Sequence, residues 1–517
     1  MHRSLRRTAS VALPLTLALT AIVVLPASPA AAASCTAGTA SDFNGDGHAD
    51  VAVAEPSGAD RVHVIYGTAH GLTANASGTA PNDQLLADPN GLPNGFGEAL
   101  ATGDFNGDGC ADLAVGDPIV SLTGAFDAGV VDVYFGSPSG LTFGHELTAK
   151  TIGLSLVADA NFGSALATGD FNGDKLADLL IGAPNQADGL PTSCDGGGAI
   201  YIVPGSKSKT FTGGKLFAQG DGKVPGTPEP DDHFGSALAT GDFNGDHLSD
   251  VAVGADGENT SSGVVDVLRG SGSAAMLTAT GAQAWTQNTS GVPGTAEPGD
   301  GLGAALAAGD FTGDGKDDLA ISVPFESDGS VAEAGTVDVL YGSSGGLSAS
   351  HAQAWTQDDT GVPGAVATEN EFGFALAAGD FNGGGKVDLA VGSPGESVGS
   401  AAGAGVVDTL IGASGGLTAT GSTAWDQGTT GISGTPEHND GFGTVLYAAR
   451  IRSGSRADLV VGVPFEGDGS ISFAGAMHVI PGSSSGLTAT GSQLFEDSTT
   501  GIQGATCQGC EFGHTIA

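Results

Sequence analysis

The chain has 517 residues, of which 89 are glycine and only 14% are charged, and its formal net charge is −42. So acidic a balance excludes nucleic acid as a partner, because binding it requires a basic surface that displaces counterions. Abundant glycine with few charges points to short β-strands joined by tight turns, and away from helices or disorder.

At the N-terminus Arg3, Arg6 and Arg7 precede an apolar run from about Val11 to Leu25 and then ASPAAAAS. The pattern predicts a secretory signal peptide over residues 1–34 and so a secreted, extracellular protein. The run is short for a membrane span and no later stretch approaches it, so no span is expected. A lipid anchor on Cys35 is the rival reading, but AASC lacks the bulky aliphatic residue that usually stands three before such a cysteine. In an exported chain Cys35, Cys110, Cys194, Cys507 and Cys510 imply up to two disulfides and one remaining thiol. Cys507 and Cys510 look like half of a zinc or redox motif, and a structural bridge is the stronger expectation.

The stretch DFNGDGHAD at 42–50 is either a solvated Asp/Asn/Gly turn or an oxygen cage for a hard cation. It recurs from Asp104, Asp170, Asp242, Asp310 and Asp380, at intervals of 62 to 72 residues. Eight residues before a loop stands a Phe-Gly pair, at Phe96, Phe162, Phe234, Phe372 and Phe442, with Leu302-Gly303 in the fifth slot. After each loop come apolar runs such as DLAVGDP, then GVVDVYFGS, then GLTATGAQAW, each bounded by glycine. These predict about four strands per repeat, and repeated four-stranded units predict a β-propeller. A seventh loop slot starts at Arg450, and a seventh Phe-Gly, Phe512-Gly513, follows near the C-terminus, whereas the first repeat lacks one before Asp42. The expectation is an all-β, seven-bladed propeller of four-stranded antiparallel blades over residues 35–517, closed by a C-terminal strand that completes blade one. No catalytic domain is left over in that division. Closure would bring Cys507 and Cys510 near Cys35, so a bridge from Cys35 to one of them is expected.

These motifs, as in FGEALATGDFNGDGCADLAVGDP and FGSALATGDFNGDKLADLLIGAP, resemble FG-GAP repeats, the β-propeller of integrin α-subunits and its bacterial relatives. The resemblance covers essentially the whole mature chain and implies calcium in the loops. Departures stand at Leu302, at Ser322 for glycine of the GAP segment, and at Asp256 for its proline. Calcium takes six to eight oxygens, and a loop offering them at positions 1, 3, 5, 7 (by its carbonyl) and 9 can wrap the ion. In the first loop these are Asp42, Asn44, Asp46, His48 and Asp50, and in the second Asp104, Asn106, Asp108, Cys110 and Asp112. The third offers Asp170, Asn172, Asp174, Leu176 and Asp178, and the fourth Asp242, Asn244, Asp246, Leu248 and Asp250. The fifth offers Asp310, Thr312, Asp314, Lys316 and Asp318. About five Ca2+ ions are therefore expected. In loop six Gly384 replaces a ligand, so weak or no binding is expected; in loop seven Arg450 and Arg452 stand where acids should be, and a guanidinium can replace the ion and pair with Asp458.

Three G-x-S-x-G patterns, at 342–346, 412–416 and 482–486, fall at one place in the repeat and read as turns, since no helix follows. Trp285, Trp355 and Trp425 are equivalent residues, read as blade packing, with sugar-stacking platforms as the alternative. The resulting expectation is a monomeric, calcium-binding adhesion or ligand-binding module for an extracellular protein or glycan, and not an enzyme. A carbohydrate-active or other hydrolytic enzyme with a site in the channel, and a structural scaffold, are the alternatives.

Overall fold

The run after each loop is apolar on both sides of its pleat, as a strand covered on both faces must be. In the computed structural model, which describes residues 35, 41–74, 83–91, 95–187 and 196–517, these runs are buried along their whole length. Val51–Glu55, Asp112–Asp117, Asp178–Ala183, Asp250–Ala255, Asp318–Val323, Asp388–Ser393 and Asp458–Val463 are the second strands of seven antiparallel blades, four-stranded throughout with the outer strand of the sixth split in two. The molecule is thus a seven-bladed β-propeller. The predicted signal peptide and Cys194 lie outside the described residues.

Successive residues of a second strand serve two neighbouring blades. Leu113 and Val115 pack with Ala52, Val62 and Val64 of blade one, whereas Ala114 between them packs with Leu179 and Ile181 of blade three. Each such side chain taken out of water contributes about 1.5–3 kcal/mol, less for alanine. The short helical segment Glu258–Ser261 has positive φ at Asn259 and Thr260 and is a turn.

The Phe-Gly and GAP motifs explain each other. The pair's glycine has φ between +90° and +102° in every blade, from Gly97 to Gly513, which a side chain would strain. The GAP glycine of one blade lies against the Phe-Gly glycine carbonyl of the next: a Cβ on Gly116, Gly182, Gly254, Gly392 or Gly462 would collide with the oxygen of Gly163, Gly235, Gly303, Gly443 or Gly513. The phenylalanine itself is fully buried and bridges the preceding blade, as Gly198 with Phe234 and Gly475 with Phe512. Leu302 keeps that bridge, to Gly263. Ser322, at the glycine place in blade five, is fully buried and its hydroxyl makes no hydrogen bond.

The ring closes as the repeat count requires. Thr515–Ile516 pairs antiparallel with Val51–Glu55, Val53 opposite Ile516, and Ala517 and Ala52 exchange hydrogen bonds of 2.7 and 3.0 Å. It is the innermost strand of blade one and contacts the innermost strands of both neighbours, Val445–Ala449 and Ala99–Gly103.

The disulfide expectation is corrected. Cys35 bridges Cys110 and Cys507 bridges Cys510, with Cα atoms 5.0 and 5.4 Å apart. Cys35 crosses loop one at Gly45 and reaches loop two, so it lies away from the C-terminal seam. The bridge also uses the thiol that a lipid anchor would need.

Candidate metal loops

Each loop leads into the second strand of a blade, from the first strand in blades two to seven, and its conformation is held by its own acids. The carboxylate at position 1 gathers main-chain amides: Asp42 accepts from Asp46 (3.1 Å) and Gly47 (2.7 Å), and Asp104 from Gly107 (2.6 Å), Asp108 (3.2 Å) and Gly109 (3.0 Å). Asp170, Asp242 and Asp310 repeat the pattern. The position 5 carboxylate accepts from the amide of position 7, where His48, Cys110, Leu176, Leu248 and Lys316 stand, at 2.9–3.1 Å.

The position 9 carboxylate is the buried one. Asp50, Asp112, Asp178, Asp250 and Asp318 are at most 1% exposed, and each accepts an amide from the start of the hairpin two strands on, such as Gly67 or Gly136. Burial pushes the carboxyls of Asp112, Asp178, Asp250 and Asp318 up to about 7, and the acids at positions 1 and 5 add to the effect. Asn106, Asn172 and Asn244 turn their amide nitrogens onto this carboxylate at 2.9–3.3 Å, and Thr312 donates its main-chain N–H to Asp318. Among the described residues, no loop brings an oxygen from each of its three acids within 4.8 Å of one another. The donors are all oxygen, one of them deeply buried, and that set suits a hard cation.

The imperfect loops separate fold from ligation. Loop six lacks the fifth-place acid, yet Asp380 accepts from Gly383, Gly384 and Gly385 at 2.7–3.0 Å and Asn382 still meets Asp388 at 2.9 Å. The turn therefore forms without that acid. In loop seven Arg452 Nη1 lies 3.1 Å from Asp458 Oδ1, so a guanidinium neutralises the ninth-place carboxylate as expected.

The G-x-S-x-G stretches are hairpin turns between third and fourth strands: the Ser343 and Ser483 hydroxyls donate to the carbonyls of Gly346 and Gly486 at 2.7 Å. Trp285 and Trp425 are buried among blade residues and Trp355 packs half-buried, which makes them core and not platforms.

The repeat reading passed over a second polar set, one residue in the middle of each third strand: His63, Asp132, Tyr201, Asp266, Asp338, Asp408 and His478, all buried. The signal was the aspartate inside VVDV and TVDV, where an apolar strand alone needs none.

With this geometry in view, the FG-GAP repeat model matches residues 162–203, 234–268, 302–340 and 372–410, and the FG-GAP-like repeat model matches 42–115. Integrin alpha-PS2 of Drosophila melanogaster is 32% identical over 222 residues, covering 41% of this chain and 14% of the integrin. The phosphatidylinositol-glycan-specific phospholipase D of Homo sapiens is 36% identical over 154 residues, covering 28% of this chain and 18% of the enzyme. The chain belongs to the FG-GAP, integrin-alpha-like β-propeller family. The matched part spans less than a fifth of either relative. Among solved structures, the exotype rhamnogalacturonan lyase YesX superposes with a TM-score of 0.37 and 15% identity, over 82% of this chain and 63% of the lyase. The expectation that the chain is not an enzyme is overturned by the phospholipase relative, since repeats of this family stand inside a named enzyme. No helix among the described residues is long and apolar enough to cross a membrane.

Proposed function

We propose that this chain is a secreted, calcium-stabilised propeller that binds an extracellular protein or glycan on one loop face. The observation that supports it most directly is the set of five loops, each with a buried ninth-place carboxylate and further oxygens at places 1, 3 and 5. The ligands are Asp42, Asn44, Asp46 and Asp50 and their counterparts, with the main-chain carbonyl at position 7. Rotation of the Asn amide would present oxygen in place of nitrogen, and the ion would relieve the mutual repulsion of the acids. The two disulfides, and the Arg-rich apolar N-terminus, support export to an oxidising compartment.

The binding face is the one opposite the calcium loops. In an antiparallel blade the loops between second and third strands lie at the other end from those between first and second. They expose Ile119, Phe126, Phe325, Phe465 and Phe473, and Phe126 is 76% exposed. Aromatic side chains are enriched at interaction surfaces relative to the rest of a protein's exterior. Binding of the purified protein to extracellular-matrix proteins and arrayed glycans, with calcium and with chelator, tests the reading. Calcium-dependent binding lost in Phe126→Ser with Phe473→Ser supports it; binding indifferent to both changes removes it.

The phospholipase relative carries a second reading, in which the propeller forms part of a hydrolytic protein acting on glycan-linked phospholipid. Release of a phosphatidylinositol-glycan-anchored reporter by the purified chain, measured with calcium, decides it.

A further inference from the structure

Neighbouring blades face each other across a polar slot built from three places: the mid-strand residue of the third strand, a residue at or just past the end of the second strand, and one just past the fourth strand of the preceding blade. At four junctions the last of these is a glutamine that bonds acids across the gap. Gln219 Nε2 lies 3.1 Å from Asp266, Gln357 Nε2 lies 2.6 Å from Glu396 and 3.5 Å from Asp408, Gln287 Nε2 lies 2.8 Å from Glu326 beside Asp338, and Gln427 Nε2 lies 2.5 Å from Glu466 beside His478. At the seam between blades seven and one the glutamine is replaced by Asp497, the mid-strand residue is His63, and Glu55 joins them.

Here the side chains converge. Nε2 of His63 lies 3.0 Å from Glu55 Oε1 and 3.8 Å from Asp497 Oδ1, and one atom from each residue falls within 4.8 Å of the others. None of these three atoms makes a hydrogen bond, although His63 and Glu55 are fully buried and Asp497 is 6% exposed. Two ligands held about 2.1 Å from a tetrahedral ion stand about 3.4 Å apart, between the two measured separations.

The surroundings hold the three residues in place. Asp83, itself fixed by the Gln503 amide at 2.6 Å, lies 3.2 Å from His63 Nδ1 and sets the ring so that Nε2 faces the acids. Arg61 Nη2 takes the outer oxygens, 2.9 Å from Glu55 Oε2 and 2.7 Å from Asp497 Oδ2, leaving the inner ones free. A carboxylate behind a histidine is the outer-shell arrangement of metal-bound imidazoles.

We propose that Glu55, His63 and Asp497 form a buried structural site for a zinc-type divalent cation that clamps the closing seam of the ring. One nitrogen and two carboxylate oxygens suit zinc and do not suit calcium, which takes oxygen alone. With no ion the cage is satisfied by a proton: burial lowers His63, but ion pairing with Asp83 and Glu55 wins and raises it to about 9. Because the ligands are buried, the ion enters as the seam forms.

The test is to express the protein in zinc-supplemented medium, exchange it into excess calcium to occupy the loops, and count zinc by elemental analysis. One zinc per chain is expected, and none in His63→Asp with Asp497→Gln, which recreates the residues of the junction between blades five and six. Less than one-tenth equivalent in the wild type, or an unchanged count in the double variant, overturns the proposal. If the variant does not fold, anomalous diffraction at the zinc edge from wild-type crystals decides: a peak between His63, Glu55 and Asp497 is expected, and no peak there refutes the site.

Discussion

The GAP glycine is the residue on which contact between blades depends. In Gly182→Ala the new Cβ meets the carbonyl of Gly235 from the next blade, and main chain on both sides resists the shift. The expected loss is about 1–3 kcal/mol, read as a lower denaturation midpoint with unchanged slope. The mid-strand acids behave differently, since burial pushes Asp338 up to about 8 and neither of its oxygens finds a hydrogen bond. Between the ordinary carboxylate range and about pH 8 the folded chain keeps a proton that the unfolded chain releases, so this residue makes stability fall as pH rises through that window. Asp338→Asn should be more stable than the wild type by roughly 1–3 kcal/mol at pH 8, with the gap closing near pH 4. Thermal unfolding of both proteins across that range in saturating calcium checks it, and a gap independent of pH would refute it. Sequence reading saw VVDV as a strand but had no reason to place its aspartate in a slot, because the glutamines that meet it lie 47 to 51 residues away on another blade.

At the scale of the loop, the spacing D-x-[N/T]-x-D-x-x-x-D was fully legible, and so was the arginine that neutralises loop seven. The folded shape of loop six without its fifth-place acid was not legible, because the amides gathered by Asp380 are main-chain groups that any residue supplies. The two roles can be tested apart. Elemental analysis of calcium-saturated protein should give five ions, four in Asp46→Ala and six in Gly384→Asp. The last requires Asn382 Oδ1, against which a Cβ on Gly384 would press, to turn aside, as ligation also demands. At a calcium concentration a hundred times the dissociation constant each site is worth about 2.7 kcal/mol, so Asp46→Ala should lower the melting temperature in calcium and hardly at all in chelator. Equal melting temperatures of the wild type with and without chelator would count against calcium in these loops.

For the whole molecule, seven blades followed from counting two repeating motifs whose ends did not match, and the mismatch is the closure itself. The partner of Cys35 could not be counted in this way. It depends on where an N-terminal segment crosses two loops, and no repeat encodes that path. Deleting residues 512–517 removes Phe512 from the blade seven interface and the strand opposite Val51–Glu55. The expected cost is about 3 kcal/mol or more, with aggregation through the bared edge, checked by denaturation and size-exclusion chromatography. A truncated protein that unfolds and elutes like the intact one would show that the ring holds without it.

The partner strand of Val51–Glu55 is made more than four hundred and fifty residues after it. Synthesis delivers the chain from its N-terminus, so blade one emerges first and waits three-stranded while six others assemble. Interrupted products therefore share one defect, an open first blade, whatever their length. Any protease or chaperone that recognises that unpaired edge can distinguish finished rings from unfinished ones without measuring them.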